Sequence, residues 1–200
     1  SLGVDEVVSG GQTMNPSTSD LAEAVLRVPA HNIFILPNNG NIIMAANQVN
    51  EVVKDRKVYV IPTKSIPQAI AALLAFNPDN SPEANKQEMS EALTQVISGE
   101  VTYAVRNSVY GDLEIAEGDI LGLVEDKITT TGRDIFEVAK QVLENMKWRE
   151  KDLVTIYYGK DMVEEDVQVL AGWLESEKPD IEVEIYAGKQ PLYYYILGVE

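Results

Sequence analysis

The sequence has no cysteine, which removes disulfides, thiolate nucleophiles and thiolate metal sites together. His31 is the only histidine, so multi-histidine zinc sites are excluded and a Ser-His-Asp relay would need that one residue. Positive charge is scarce: 16 Lys and Arg stand against 32 Asp and Glu, a formal net charge of -16. Phosphate backbones and anionic bilayers repel such a surface, so no nucleic acid partner is expected. No apolar run approaches the ~18–20 residues of a membrane-spanning helix, so no membrane insertion is expected either. The opening "SLGVDEVV" has no charged-then-apolar leader and reads as the start of an excised piece. With the missing cysteine this fits a cytoplasmic location. There is no GxxxxGK[ST] loop, no GxGxxG after a strand and no GxSxG elbow, so nothing reads as a nucleotide site. An independent enzyme would need carboxylate or lysine chemistry that these residues do not assemble.

What is present is an alternation of short apolar runs and amphipathic segments. "NIFIL" (32–36) and "VYVI" (58–61) are continuous apolar strands, as expected where both faces of a sheet are covered. "DEVV" (5–8) is a third candidate. Each run leads through a polar loop into a helical pattern. Leu21, Val25 and Val28 mark the first helix; Ile42, Ala46, Val49 and Val53 the second; Ile66, Ile70, Leu73 and Leu74 the third, with Pro67 suited to its first turn. Three strand-loop-helix units predict a parallel sheet between helix layers.

"FNPDNSPEAN" (76–85) is a break rich in Pro, Asn and Asp. Beyond it comes a helix, "KQEMSEALTQVI", and then a different grammar. "GEVTYAVRNSVY" and "GDILGLVEDKITTT" read as an antiparallel pair. "RDIFEVAKQVLENM" is a helix with Ile135, Ala139, Val142 and Met146 on one stripe, and "DLVTIYYG" is a strand. "EEDVQVLAGWLESE" is a helix with Val167, Leu170, Ala171 and Leu174 inward, and "IEVEIYAG" and "PLYYYILGV" are strands. Tyr193, Tyr194 and Tyr195 alternate faces, so at least one belongs to the core. The expected fold class is α/β in two lobes: residues 1–80 a parallel three-layer lobe, residues 81–200 an acidic mixed α+β lobe. Charge supports the division, with 7 acids and 5 bases in the first part and 25 acids and 11 bases in the second.

In an open parallel sheet, ligands sit beyond the carboxyl ends of the strands. Three polar loops of the first lobe fall there, carrying Gln12, Thr13, Asn15, Ser17 and Thr18; Asn38, Asn39 and Asn41; and Thr63, Lys64, Ser65 and Gln68. Each precedes a helix N-terminus, where free N–H groups favour an anion. Lys64 is the only cation in the set. The same residue types cap helices and close turns, so a ligand- or partner-binding rim and plain capping are both open readings. His31, in "VPAHNIF", reads as a cap or turn residue. The acids of "KDMVEED" (160–166) read as favourable charge at a helix start rather than a metal site.

"GVDEVVSGGQTMNPST", "ILPNNGNIIMAANQV" and "VYVIPTKSIPQAIAALLAFNP", in this order, closely resemble the C-terminal region of the DAK-phosphatase-like proteins, the A subunit of bacterial fatty acid kinase. The ending "IEVEIYAGKQPLYYYILGVE" is also similar to that of DegV-type fatty-acid-binding proteins, which often have "GGQP" where this chain has Lys189. The resemblance covers essentially all 200 residues. It implies a DegV-like fold and an upstream dihydroxyacetone-kinase-like domain holding ATP and magnesium. It also implies a kinase that phosphorylates a fatty acid presented by a DegV-type carrier, for phospholipid synthesis. The family's nucleotide-binding carboxylates have no match here, so no catalytic residue, cofactor or metal is assigned to this chain. The expected partners are a DegV-type fatty-acid-binding protein and the rest of the parent chain. The leading expectation is a non-catalytic domain that docks the carrier; the alternative is a DegV-like domain binding a phosphate or acyl group.

Overall fold

The computed structural model describes residues 3–10, 15–111 and 113–200. The chain divides into two compact units between Gln95 and Val96.

The first unit contains α1 (Thr18–Arg27), β1 (Asn32–Ile35), α2 (Ile43–Val52), β2 (Lys57–Val60), α3 (Ile66–Leu74) and α4 (Pro82–Ala92). β1 and β2 pair in parallel, Asn32 opposite Lys57 and Ile35 opposite Val60. Alternation along these strands supplies two cores. Ile33, Ile35, Val58 and Val60 face Leu21, Val25, Ala46 and Val49 of α1 and α2. Phe34, Leu36 and Ile61 pack with Ala72 and Met89 of α3 and α4. The helix–sheet–helix layering expected from the apolar runs is therefore present.

Three expectations change. The sheet has two strands, because residues 5–8 form none: Val7 points to solvent and only Val8 packs on the core. The division of the chain falls after Gln95 and not near residue 80. α4 begins at Pro82, capped by the Ser81 hydroxyl, and its Met89 joins the α3 core. The third change is in α3, whose buried residues are Pro67, Gln68, Ala69 and Ala72. Of the stripe expected inside, Ile66 and Leu74 are 40% and 72% exposed, and Ile70 and Leu73 are only half-buried. Small residues let α3 lie close on its neighbours, and the large ones sit at the edge of this contact or outside it.

The second unit is a six-stranded sheet, in order β7 (Lys127–Gly132), β6 (Ile120–Val124), β3 (Ile97–Tyr103), β10 (Tyr193–Val199), β8 (Leu153–Tyr158) and β9 (Glu182–Ala187). All neighbours are antiparallel except β8 and β9, which are joined in parallel through α6 (Glu164–Glu177). α5 (Ile135–Asn145) and α6 cover one face, over a core of Val101, Val142, Leu143, Trp148, Ile156, Leu170 and Leu197. Tyr195 is the tyrosine of its triplet that is fully buried.

"GDILGLVEDKITTT" is a hairpin, turning at Glu125 and Asp126, both at positive φ. "GEVTYAVRNSVY" also breaks, into β3 and β4 (Ser108–Tyr110), which pairs with β5 (Leu113–Ile115) in a separate two-stranded sheet. Two glycines set how closely α5 approaches. A Cβ on Gly99 would lie 2.5 Å from Met146 Sδ, and one on Gly122 2.4 Å from Val142 Cγ2 and 2.5 Å from Thr130 Cγ2. Neither position has room for a side chain without displacing the helix.

Candidate functional site

The loops that follow β1 and β2 lie together at the carboxyl ends of the two parallel strands. Asn38 adopts φ +57, a left-handed conformation that asparagine tolerates better than most residues. Its amide N–H donates to Thr63 Oγ1 at 3.0 Å, and that hydroxyl donates to Asn38 Oδ1 at 2.8 Å. Thr63 is fully buried. Within the first loop, Asn39 Oδ1 accepts from the Asn41 N–H at 2.9 Å and the Asn39 carbonyl from the Ile42 N–H at 3.0 Å. These bonds form the turn into α2, whose own N-cap, Ile42, has no side-chain cap. In the second loop the Lys64 N–H donates to Gln68 Oε1 at 2.9 Å, and the Gln68 N–H to Ser65 Oγ at 3.3 Å. This is a reciprocal capping arrangement that satisfies two backbone donors at the start of α3.

The opening loop follows the same logic. Ser17 and Asp20 form a capping box on α1. The Ser17 hydroxyl and N–H hold the Asp20 carboxyl below the usual carboxylate range. Thr18 Oγ1 donates to Gln48 Oε1 at 3.1 Å, tying α1 to α2. Gln12 and Thr13 lie outside the described residues. Asn15, Asn41 and Lys64 are exposed, and Asn41 and Lys64 enter this bonding through their backbone N–H groups. The structure thus brings Asn38 and Thr63 into contact, and it uses Ser17, Thr18, Asn39, Ser65 and Gln68 to bond helix starts and loops.

Two structural residues were not legible from sequence. Asn50 closes α2 onto β2, accepting from the Val58 N–H at 3.0 Å and donating to the Val58 carbonyl at 2.7 Å. The Arg56 guanidinium gathers carbonyls at the end of α1, those of Val25, Leu26, Val28 and Ala30. No local pattern announces either, because their partners lie in other elements. His31 is exposed, and its carbonyl accepts from the Lys57 N–H at 2.8 Å, a turn role. Glu164, Glu165 and Asp166 occupy the first turn of α6.

The second unit has two further features. A shallow depression of about 360 Å³ lies between β7 and α5, with Trp173 of α6 at its wall. Its cation, Lys140, is already engaged: Nζ lies 3.3 Å from Glu137 and 5.2 and 5.4 Å from the Phe136 and Trp173 ring centres. Lys189, at φ +56, holds the left-handed conformation that glycine favours. Its neighbour Gln190 fills the turn, donating from Nε2 to the Tyr157 carbonyl at 2.9 Å.

Among the described residues, no cluster of His, Asp or Glu could hold a metal ion, and no helix is long and apolar enough to cross a membrane.

The two units, one a three-layer βαβ arrangement and the other a mixed sheet with helices on one face, define a mixed α/β protein of the DegV fold. The chain resembles Streptococcus pneumoniae fatty acid kinase B3 loaded with linoleic acid, with TM-score 0.66 and 16% identity over 92% of this chain and 76% of that one. It resembles Bacillus subtilis DegV, a fatty acid binding protein, with TM-score 0.61 and 14% identity over 93% and 77%. Residues 1–200 match the FakA-like C-terminal family, named for the C-terminal region of a fatty acid kinase component, and the chain belongs to it. Protein YloV of Bacillus subtilis is 48% identical over the whole chain, and a Staphylococcus epidermidis protein of uncharacterized function is 42% identical. The chain spans 36% of the length of each.

Proposed function

We propose that this chain is a non-catalytic docking domain. It seats a DegV-type acyl carrier so that a separate ATP- and magnesium-binding part of the same polypeptide can phosphorylate the bound fatty acid. The observation that carries this reading is how the polar loops are spent. A ligand site needs donors and acceptors left over for the ligand. Here Asn38 N–H and Oδ1 are bonded to Thr63, Gln68 and Ser65 cap α3, and Ser17 caps α1, so the groups that converge between the loops are spent and the exposed Asn15, Asn41 and Lys64 lie at the surface. Membership of a fatty acid kinase family, without a nucleotide motif in these residues, points the same way. On this reading the domain keeps the DegV architecture as a surface rather than as a container.

Calorimetric titration of a fatty-acid-loaded DegV-type protein into the protein tests it. Saturable binding that requires this domain is expected. A parallel thermal scan with fatty acid, phosphate and an acyl-phosphate analogue separates the alternative, because a ligand bound tightly by the folded state must raise the melting temperature. Stabilisation by one of these ligands without carrier binding would replace the docking reading with a small-ligand one.

A further inference from the structure

Between β3 and β6 the chain leaves the six-stranded sheet. β4 and β5 pair only with each other, Val109 opposite Glu114 and Tyr110 opposite Leu113. The base of this hairpin is fixed. The Ala104 N–H donates to the Asp119 carbonyl and the Gly118 N–H to the Ala104 carbonyl, both at 2.8 Å. Asp119 Oδ2 accepts from the Ala116 N–H at 2.9 Å, and Asn107 Oδ1 from the Glu117 N–H at 2.7 Å. Ile115 is buried and anchors β5. Val105 at this base is 68% exposed, and beyond it Val109 is 72%, Tyr110 45% and Leu113 39% exposed. A connection that merely joined β3 to β6 would turn polar side chains outward. Four large apolar residues exposed on a hairpin whose strands pair only with each other invite association.

We propose that the β4–β5 hairpin is the knob by which this domain engages its protein partner, and that the partner presents an apolar socket with a basic rim. The inference rests on the docking function above. Charge selects the occupant. Residues 96–200 hold 22 acids against 10 bases, and the sequence from 104 to 119 carries four acids, Asp112, Glu114, Glu117 and Asp119, and one base, Arg106. A second copy of this chain would bring the same acids against them, and an anionic bilayer is repelled as well. A basic-rimmed protein is complementary. Its arrival is steered by the acids, and its residence time is set by the buried apolar side chains.

The test uses the full-length protein and a fatty-acid-loaded DegV-type protein as the probe, with association and dissociation rates measured at low and high salt. Val109→Ser/Leu113→Ser changes exposed residues, and an unchanged melting temperature verifies its fold. It is expected to raise the dissociation rate about tenfold or more. Glu114→Lys/Glu117→Lys is expected to slow association and flatten its salt dependence. Wild-type binding that neither variant alters would overturn the hairpin assignment and leave the docking function standing. Absence of wild-type binding would overturn both. If the serine variant instead abolished self-association or vesicle binding while carrier binding was unchanged, the hairpin would belong to that other contact and the inference would fail.

Discussion

Asn38 and Thr63 hold each other across the two loops at the carboxyl ends of the parallel strands. Each side chain bonds the other, and the Asn38 amide joins them. With Thr63 fully buried, its loss leaves the Asn38 groups without their partner. Thr63→Val keeps the shape and removes the hydroxyl. It is expected to lower stability by about 1–3 kcal/mol, the usual cost of a buried polar group left unsatisfied. The shift of the denaturation midpoint at constant slope measures it.

Glu100 sits on β3, opposite Leu123 of β6 and Ile196 of β10. Its neighbours Gly99 and Val101 face α5 and the core, so it projects from the other face of the sheet. Burial, aided by Asp126 and Glu125, pushes its carboxyl up to about 7 from the ordinary 4.5. Below 4.5 the carboxyl is protonated in folded and unfolded chains alike and costs nothing. From 4.5 to about 7 the unfolded chain loses its proton first, so stability falls with rising pH, and above 7 the penalty is constant. Glu100→Gln is expected to stabilise the protein at about pH 8 by on the order of 1–3 kcal/mol and to change little near about pH 4. Thermal melts across that range check the sign. Equal effects at both ends would contradict it.

Gly122 lies under α5 with Val142 Cγ2 and Thr130 Cγ2 inside the reach of any Cβ. Gly122→Ala is expected to cost about 1–3 kcal/mol through overpacking. Gly99→Ala should cost less, because one of its two nearest neighbours is the flexible end of Met146. Equilibrium unfolding of the two variants orders them.

The inverted face of α3 gives opposite expectations for neighbouring residues. Leu74→Lys, at an exposed position, should change stability by no more than about 0.5 kcal/mol. Ala72→Leu, at a position with no exposed surface, should destabilise by about 1–3 kcal/mol. The reverse order, read by chemical denaturation, would return the large stripe to the core.

Much of this architecture was legible where burial follows one period. The stripe Ile42, Ala46, Val49 and Val53 is wholly buried, as are Val167, Leu170, Ala171 and Leu174. The two apolar strands imply two covered faces, and both cores are present. Periodicity failed in α3, because it reports that a helix has an apolar face and not whether a neighbour covers it. Alanine and glutamine carry no strong signal, and they form the buried face. Strand breaks failed for another reason: the turns at Glu125–Asp126 and near Ala104 carry no glycine or proline to mark them. The polar loops were found by composition. What their side chains do was not legible, because a capping serine and a ligand-binding serine look alike until partners such as Thr63, Gln68 and Gln48 are placed.

The most direct measurement is binding of a fatty-acid-loaded DegV-type protein, by calorimetry, to the full-length protein and to the same protein lacking these 200 residues. The docking account predicts saturable binding to the first, weakened by salt, and none to the second. Equal affinity for both would place the carrier contact elsewhere in the polypeptide and contradict it.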